Sequence, residues 1–198
     1  MLAGSPVTPE CMAWVFDNVK RDVFAHSGSG GTDVCSGLVG GVVTLPVYAG
    51  EIQARQLGVA AHAFDEAGNA VVGEVGELMI TEPLPSMPVG FWGDLDGEKL
   101  RAAYFSTYAG VWRHGDWITF ADDGASVLSG RSDATLNRGG VRLGTSDFYA
   151  VVEEISWVRD SLVVHVVDDE GSMGTLALFV STAEGVAVDD QHRAELVT

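Results

Sequence analysis

Apolar residues Met12, Val15, Phe16 and Val19 recur at helical spacing behind Thr8-Pro9-Glu10, where a hydroxyl precedes a proline suited to the first helical position. The spacing predicts a helix from Pro9 to Lys20. Val23 to His26 reads as a short strand running directly into the glycine-rich segment Ser27 to Thr32, and a strand that empties into a flexible loop is a common place for a ligand. From Val42 to Val127 the apolar stretches are short and separated by turn signals: Val59 to Phe64, the turn Glu66 to Asn69, Val71-Val72, Glu77 to Thr81, and Trp117 to Phe120. This alternation predicts a small antiparallel β unit. The three prolines between Pro83 and Pro88 mark a connecting loop, and Asp122-Asp123-Gly124 predicts a hairpin turn into Ala125 to Leu128.

Further along, Thr145 is placed to cap a helix with Phe148, Val151, Val152 and Ile155 on its inner face. Strands from Ser161 to Val167 and from Thr175 to Ser181 follow, joined by an acidic, glycine-containing turn, and a last helix starts at Asp189. The helix-strand-strand-helix unit looks unfinished at Thr198. There is no internal repeat or low-complexity tract.

Composition narrows the class. The chain has 198 residues and 46% hydrophobic residues, enough for a real core in one ordinary domain or two small ones. It has no run of eighteen apolar residues and no basic region followed by an apolar core at the N-terminus, so the expectation is a soluble cytoplasmic protein. Cys11 and Cys35 lack metal-ligand spacing and are expected to be free, buried thiols. A formal charge of -17 argues against general binding to nucleic acid or anionic membranes. Positive charge is nonetheless concentrated locally: Arg113, Arg131, Arg138 and Arg142 share one window, whereas 143 to 198 hold only Arg159 and Arg193 as basic groups. Anionic substrates therefore stay possible.

The segment Gly130 to Gly144 sets three arginines among glycines, and it falls between the β unit and the second set of elements. Glycine permits close backbone approach and positive φ, and arginine offers a planar fork for phosphate or carboxylate. Its order, Gly-Arg-x-Asp followed by Gly-x-Arg, resembles the hinge motif of the adenylate-forming enzymes, the acyl-CoA synthetases and their relatives. Gly4-Ser5-Pro6, Ser29-Gly30-Gly31-Thr32-Asp33, Gly76 to Ile80 and His114 to Trp117 agree with that family in the same order. Within it, the Ser-Gly-Gly-Thr-Asp segment, the run Pro46 to Arg55 and the run Gly130 to Arg142 are most similar to the acetoacetyl-CoA synthetase family.

The resemblance implies a fold of mixed α/β and α+β class: residues 1–130 as the C-terminal part of a large adenylation domain including the β unit, and 131–198 as the hinge and a truncated small domain. It implies an acid that attacks the α-phosphate of Mg-ATP, giving an acyl-adenylate and pyrophosphate, followed by displacement of AMP by CoA. Gly4, Ser5 and Pro6 would lie against the adenine, where small residues allow backbone contact. Thr32 would donate to the α-phosphate, and Asp33, where the family usually has glutamate, would help hold Mg2+, directly or through water. Gly30 and Gly31 would border the acyl pocket, leaving room for an acid such as acetoacetate. Asp116 would accept from the ribose hydroxyls, with Arg131 as a second ribose or phosphate contact. Asp133 would be the hinge, Arg142 would meet the ATP phosphates, and Gly139 and Gly140 would let the CoA pantetheine pass.

Each motif taken alone has a plainer reading: a Gly-Ser-Pro turn, a flexible glycine loop, a Gly-Asp turn, and arginines paired with surface carboxylates. His114 reads as structural, and five scattered histidines suggest no metal cluster. The family's upstream phosphate loop and its late catalytic lysine have no counterpart, since Lys20 and Lys99 sit elsewhere. The expectation is a piece of an acetoacetate-CoA ligase with little activity by itself and a tendency to self-associate through exposed apolar surface. A ligase for another short acid, a non-catalytic nucleotide-binding remnant and an acidic interaction domain are the alternatives.

Overall fold

A computed structural model describes residues 1–4, 6–133, 136–138, 141–143, 145–166 and 175–196. The chain divides into two compact units, Met1–Asp133 and Ala134–Thr198. Among the described residues no helix is long and apolar enough to cross a membrane.

In the first unit, α1 (Pro9–Asn18) starts as the sequence predicts: Thr8 is extended, and its hydroxyl accepts from the Cys11 amide at 3.2 Å. The helix stops two residues before Lys20, leaving Val19 65% exposed, so Met12 is the fully buried anchor of its apolar face. Cys11 and Cys35 are both exposed, contrary to the expectation of buried thiols. Cys11 occupies the solvent side of α1, and Cys35 lies on the turn that follows Thr32, with φ 49°.

Val23 to His26 does not form a strand. Pairing begins later, within the glycines, where β1 (Ser29–Gly31) and β2 (Ser36–Gly40) make an antiparallel hairpin, and β3 (Ala54–Arg55) extends it in the order β1-β2-β3. The segment read as a flexible loop is thus a sheet edge. Its glycines carry no side-chain alternation to betray a strand, and they allow an approach that a β carbon would block: one on Gly30 would collide with the Ser36 carbonyl oxygen.

The expected antiparallel β unit is present, running from Ala61 to Arg131 rather than from Val42 to Val127. It comprises β4 (Ala61–Phe64), β5 (Ala70–Val71), β6 (Val75–Ile80), β7 (Trp112–Phe120) and β8 (Ser126–Arg131), in the antiparallel order β5-β4-β6-β7-β8. The β4–β5 turn is closed by Asp65, whose carboxylate accepts from the Asn69 amide and side chain. The 83–88 segment is a loop, and it leads toward a helix that the apolar spacing does not announce, α2 (Glu98–Tyr104). Asp94 organises its start by accepting from the Lys99 and Leu100 amides. Leu100 and Tyr104, four apart on one face, pack against the core of Leu38, Val39, Ile52, Leu78, Ile80, Trp112, Ile118 and Phe120. Complete burial of such side chains stabilises the unit by about 1.5–3 kcal/mol each.

The β6–β7 ladder carries the irregularity that matters most. Glu77 pairs with Trp117 and Met79 with Arg113, so β6 has only Leu78 where β7 has His114, Gly115 and Asp116. Strand alternation is suspended there, and His114, Gly115 and Asp116 are consecutively buried. A bulge of this kind re-aims side chains that a regular strand would send to opposite faces.

In the second unit, β9 (Leu136–Arg138) and β10 (Val141–Leu143) form an antiparallel pair, followed by α3 (Thr145–Val152). Val152 is buried but Val151 is 68% exposed, and Ile155 falls beyond the helix end, so the inner face is narrower than the spacing predicts. β11 (Val158–Val166) and β12 (Thr175–Thr182) pair antiparallel. α4 (Asp190–Glu195) starts at the predicted cap, with Asp189 accepting from the Gln191 and His192 amides. Glu195 accepts from the Trp157 indole at 2.8 Å, tying α4 to the start of β11.

Candidate functional site

A cleft of about 740 Å³ in the first unit is lined by Gly4 and Pro6, by Gly28 to Thr32, and by Asp116, Gly130 and Arg131. Residues from the N-terminal segment, the β1–β2 hairpin, the β7 bulge and the end of β8 thus converge. The N-terminal segment is positioned by the Leu2 amide donating to the His26 carbonyl at 2.8 Å.

Asp116 is 5% exposed, and its carboxylate accepts from Ser29 Oγ at 2.5 Å and from Arg131 Nη1 at 3.3 Å. The two partners come from different elements. Asp116 and Arg131 are cross-strand neighbours in the β7–β8 ladder, and Ser29 belongs to the hairpin edge. The same guanidinium turns its Nε and Nη2 toward Asp133, a bidentate pair with Nε at 2.8 Å. That pair raises Arg131 above its ordinary value, and the arginine's hydrogen bonds hold the Asp133 carboxyl below its ordinary value. Gly115, at φ 88°, makes room for the arrangement: a β carbon there would lie 2.9 Å from Arg131 Nη2.

Below this layer Glu77 accepts from the Gly115 amide at 3.1 Å and Ser132 Oγ at 2.7 Å, and pairs with Arg113 at 3.0 Å. Glu77 belongs to the Gly76 to Ile80 segment, and its carboxylate fastens the bulge to the end of β8. Arg113 is thereby occupied in structure.

His114 joins the bulge to the β1–β2 hairpin. Trp112 Nε1, a donor only, points at His114 Nδ1 at 3.3 Å, which leaves the proton on Nε2 to donate to the Gly30 carbonyl at 3.2 Å. The ring is neutral in this arrangement, and burial lowers its pKa despite the nearby Asp116. At 3.8 Å the His114–Asp116 contact is too long for a hydrogen bond. Spacing alone concealed His114's link to the hairpin because its partner is far away in sequence.

Thr32 lines the cleft, while Asp33 turns its carboxylate to Tyr104, which donates to Oδ2 at 2.6 Å. Gly30 and Gly31 present backbone to the cleft, with Gly30's open side filled by β2 and Gly31's facing His114 Cε1. Ser5, Gly139 and Gly140 lie outside the described residues. Arg142 stands in β10 opposite Asn137, and its side chain is outside what is described. Among the described residues no group of three or more His, Cys, Asp or Glu side chains could hold a metal by itself. A cation beside Asp33 would need oxygen ligands from a bound phosphate and water, the manner in which Mg2+ is commonly held, so the single carboxylate fits that ion.

What the cleft offers chemically is a buried carboxylate, a guanidinium, a threonine hydroxyl and small residues, Gly4 and Pro6, on its lining. No protein-family model matches the sequence. The chain is 45% identical over 182 residues to acetoacetyl-CoA synthetase of Xenopus tropicalis, covering 91% of this chain and 27% of that protein. It is 44% identical over 193 residues to acetoacetyl-coenzyme A synthetase of Rhizobium meliloti, covering 98% and 29%. The chain spans under a third of the length of these curated relatives. Its structure superposes on acetoacetyl-CoA synthetase from Streptomyces lividans with TM-score 0.82 and 43% identity, over 98% of this chain and 29% of that one. An anthranilate CoA ligase solved with anthranoyl-AMP shares the fold alone, at TM-score 0.70 and 17% identity, over 98% of this chain and 36% of that one.

Proposed function

We propose, on the premise that this chain has the sequence and fold of a segment of the acetoacetyl-CoA synthetases within the adenylate-forming enzymes, that its cleft is one wall of their nucleotide site. The protein to which it belongs is then an ATP-dependent ligase joining acetoacetate to CoA. The observation that carries this reading is the convergence of Gly4, Pro6, Thr32, Asp116 and Arg131 on one cleft from distant parts of the chain.

In this reading the adenine rests against Gly4 to Pro6 and the ribose hydroxyls donate to Asp116, which Ser29 and Arg131 hold in place. Thr32 donates its hydroxyl to an α-phosphate oxygen. Attack there by the acid's carboxylate forms the acyl–phosphate bond and releases pyrophosphate, and the CoA thiol then forms the thioester and releases AMP. The developing negative charge is stabilised by fixed donors, the larger part of catalysis in such transfers. Mg2+ near Asp33 would supply charge neutralisation at the phosphates. Backbone at Gly30 and Gly31 borders the acyl chain. Asp133 serves as hinge, Gly139 and Gly140 pass the pantetheine, and Arg142 reaches the phosphates.

For the chain by itself the proposal is nucleotide binding with little turnover. Among the described residues Arg131 is the guanidinium lining the cleft, and it is already shared between Asp116 and Asp133. Lys20 pairs with Asp22 on the surface. One shared cation suits a monophosphate better than a triphosphate.

Calorimetric titration of the purified chain with AMP tests this. Saturable binding is expected, weakened at least about tenfold in Asp116→Asn, which keeps the side chain's shape but leaves a weaker acceptor for ribose hydroxyls. Absence of AMP binding would remove the reading. Acetoacetate-dependent release of pyrophosphate by the chain would overturn the claim of low turnover.

A further inference from the structure

We propose that Tyr104 is a positioning residue for Asp33, the neighbour of the cleft-lining Thr32: its hydroxyl holds Asp33 by Oδ2 and leaves Oδ1 for a divalent cation that enters with a nucleotide's phosphates. The proposal rests on the nucleotide reading and adds a residue from α2, an element that does not line the cleft.

The Gly30 to Asp33 segment is held at both ends. The Gly30 carbonyl accepts from His114, and the Asp33 carboxylate accepts from Tyr104. The two holders are themselves joined, because Tyr104 stacks on Trp112 with ring centroids 3.6 Å apart and planes 11° apart, and Trp112 donates to His114. Phe91 meets the Tyr104 ring edge-on and Phe105 meets Trp112 in the same way. Tyr104 is therefore fixed by packing on both sides, as a group that aims another must be.

The chemistry of the contact is also directional. A phenol donates a single proton and can occupy only one carboxylate oxygen. Asp33 Oδ1 has no hydrogen bond to another described residue, and the residue is exposed, so that oxygen is open to an ion arriving from solvent. Groups that orient a metal-binding carboxylate from behind commonly change metal affinity by about 10–100-fold when removed.

Tyr104→Phe keeps the stacked ring and deletes the hydroxyl. AMP binding without metal, ATP binding across a series of Mg2+ concentrations, and thermal melting are measured by calorimetry on the chain and the variant. The expected result is unchanged AMP affinity, unchanged melting, and roughly a tenfold rise in the Mg2+ concentration giving half-maximal ATP binding. Purely structural service would move melting and AMP affinity together.

Identical Mg2+ dependence in the chain and in Tyr104→Phe would overturn the proposal and leave the nucleotide reading intact. ATP binding by the unsubstituted chain that ignores Mg2+ would do the same. A chain that binds no AMP would overturn the nucleotide reading and the proposal with it. Should Tyr104→Phe fold poorly, Asp33→Asn on the exposed turn is the second test: Mg2+ dependence retained there overturns the role of Asp33 and hence of Tyr104, and Mg2+ dependence lost there upholds the role of Asp33 on which the proposal stands.

Discussion

His114 stays neutral because burial outweighs the neighbouring carboxylate, and the sign of its pH effect follows. Its folded pKa lies below the ordinary value of 6.5, so the unfolded chain takes up the proton first as pH falls. The contribution is fully present above that value and is lost below it, at no more than about 1.4 kcal/mol per pH unit. Denaturant melts of the chain and of His114→Gln should diverge in slope just below the ordinary histidine value and run parallel above it. Asp133 acts in a lower window: its depressed pKa gives stability that is present above 3.8 and lost as pH falls through the folded value. Gly30→Ala is expected to lose about 1–3 kcal/mol in the same melts, because the added carbon meets backbone rather than a movable side chain. Thr32, Asp116 and Arg131 are visible in the sequence as parts of motifs. Tyr104, Trp112 and Glu77's role as a fastener are not, since the Tyr104–Asp33 and Ser132–Glu77 bonds join residues 71 and 55 positions apart.

Among the elements, those with a side-chain pattern are readable and those built from backbone geometry are not. β4, β6 and β7 show apolar alternation and firm turn residues, and Thr8-Pro9 marks the start of α1 unaided. β1 and β2 stay hidden because glycines have no face to alternate. The β7 bulge is hidden because Arg113 to Asp116 are polar residues and glycine, and such a run gives no sign that three neighbours, His114 to Asp116, are buried together. α2 follows a proline- and glycine-rich loop, and its clearest signal is Asp94 and the Leu100–Tyr104 spacing, too short a stretch to stand out. Thr8→Ala should cost about 1 kcal/mol through the lost hydrogen bond to the Cys11 amide, read as a lowered denaturation midpoint. AMP affinity should be unaltered, as α1 does not line the cleft.

The whole molecule combines a formal charge of -17 with fully exposed Val89, Trp92 and Leu95. Like-charge repulsion keeps copies apart at low ionic strength, and added salt screens it while leaving apolar attraction in place. Sedimentation velocity should therefore show self-association that grows with salt, and Trp92→Ser should weaken it about tenfold through lost apolar burial. An unchanged association in that variant would point to another surface. The cleft's glycine wall bears on how such a site can change over successive generations or in a laboratory library. Every replacement of Gly30 adds a carbon aimed at the Ser36 carbonyl, and Gly28 meets the Val39 oxygen in the same way. Gly37, whose added carbon would find only Gln56 Cγ at 3.6 Å, is open. On this glycine wall new specificities have room at Gly37, with Gly28 and Gly30 closed to variation.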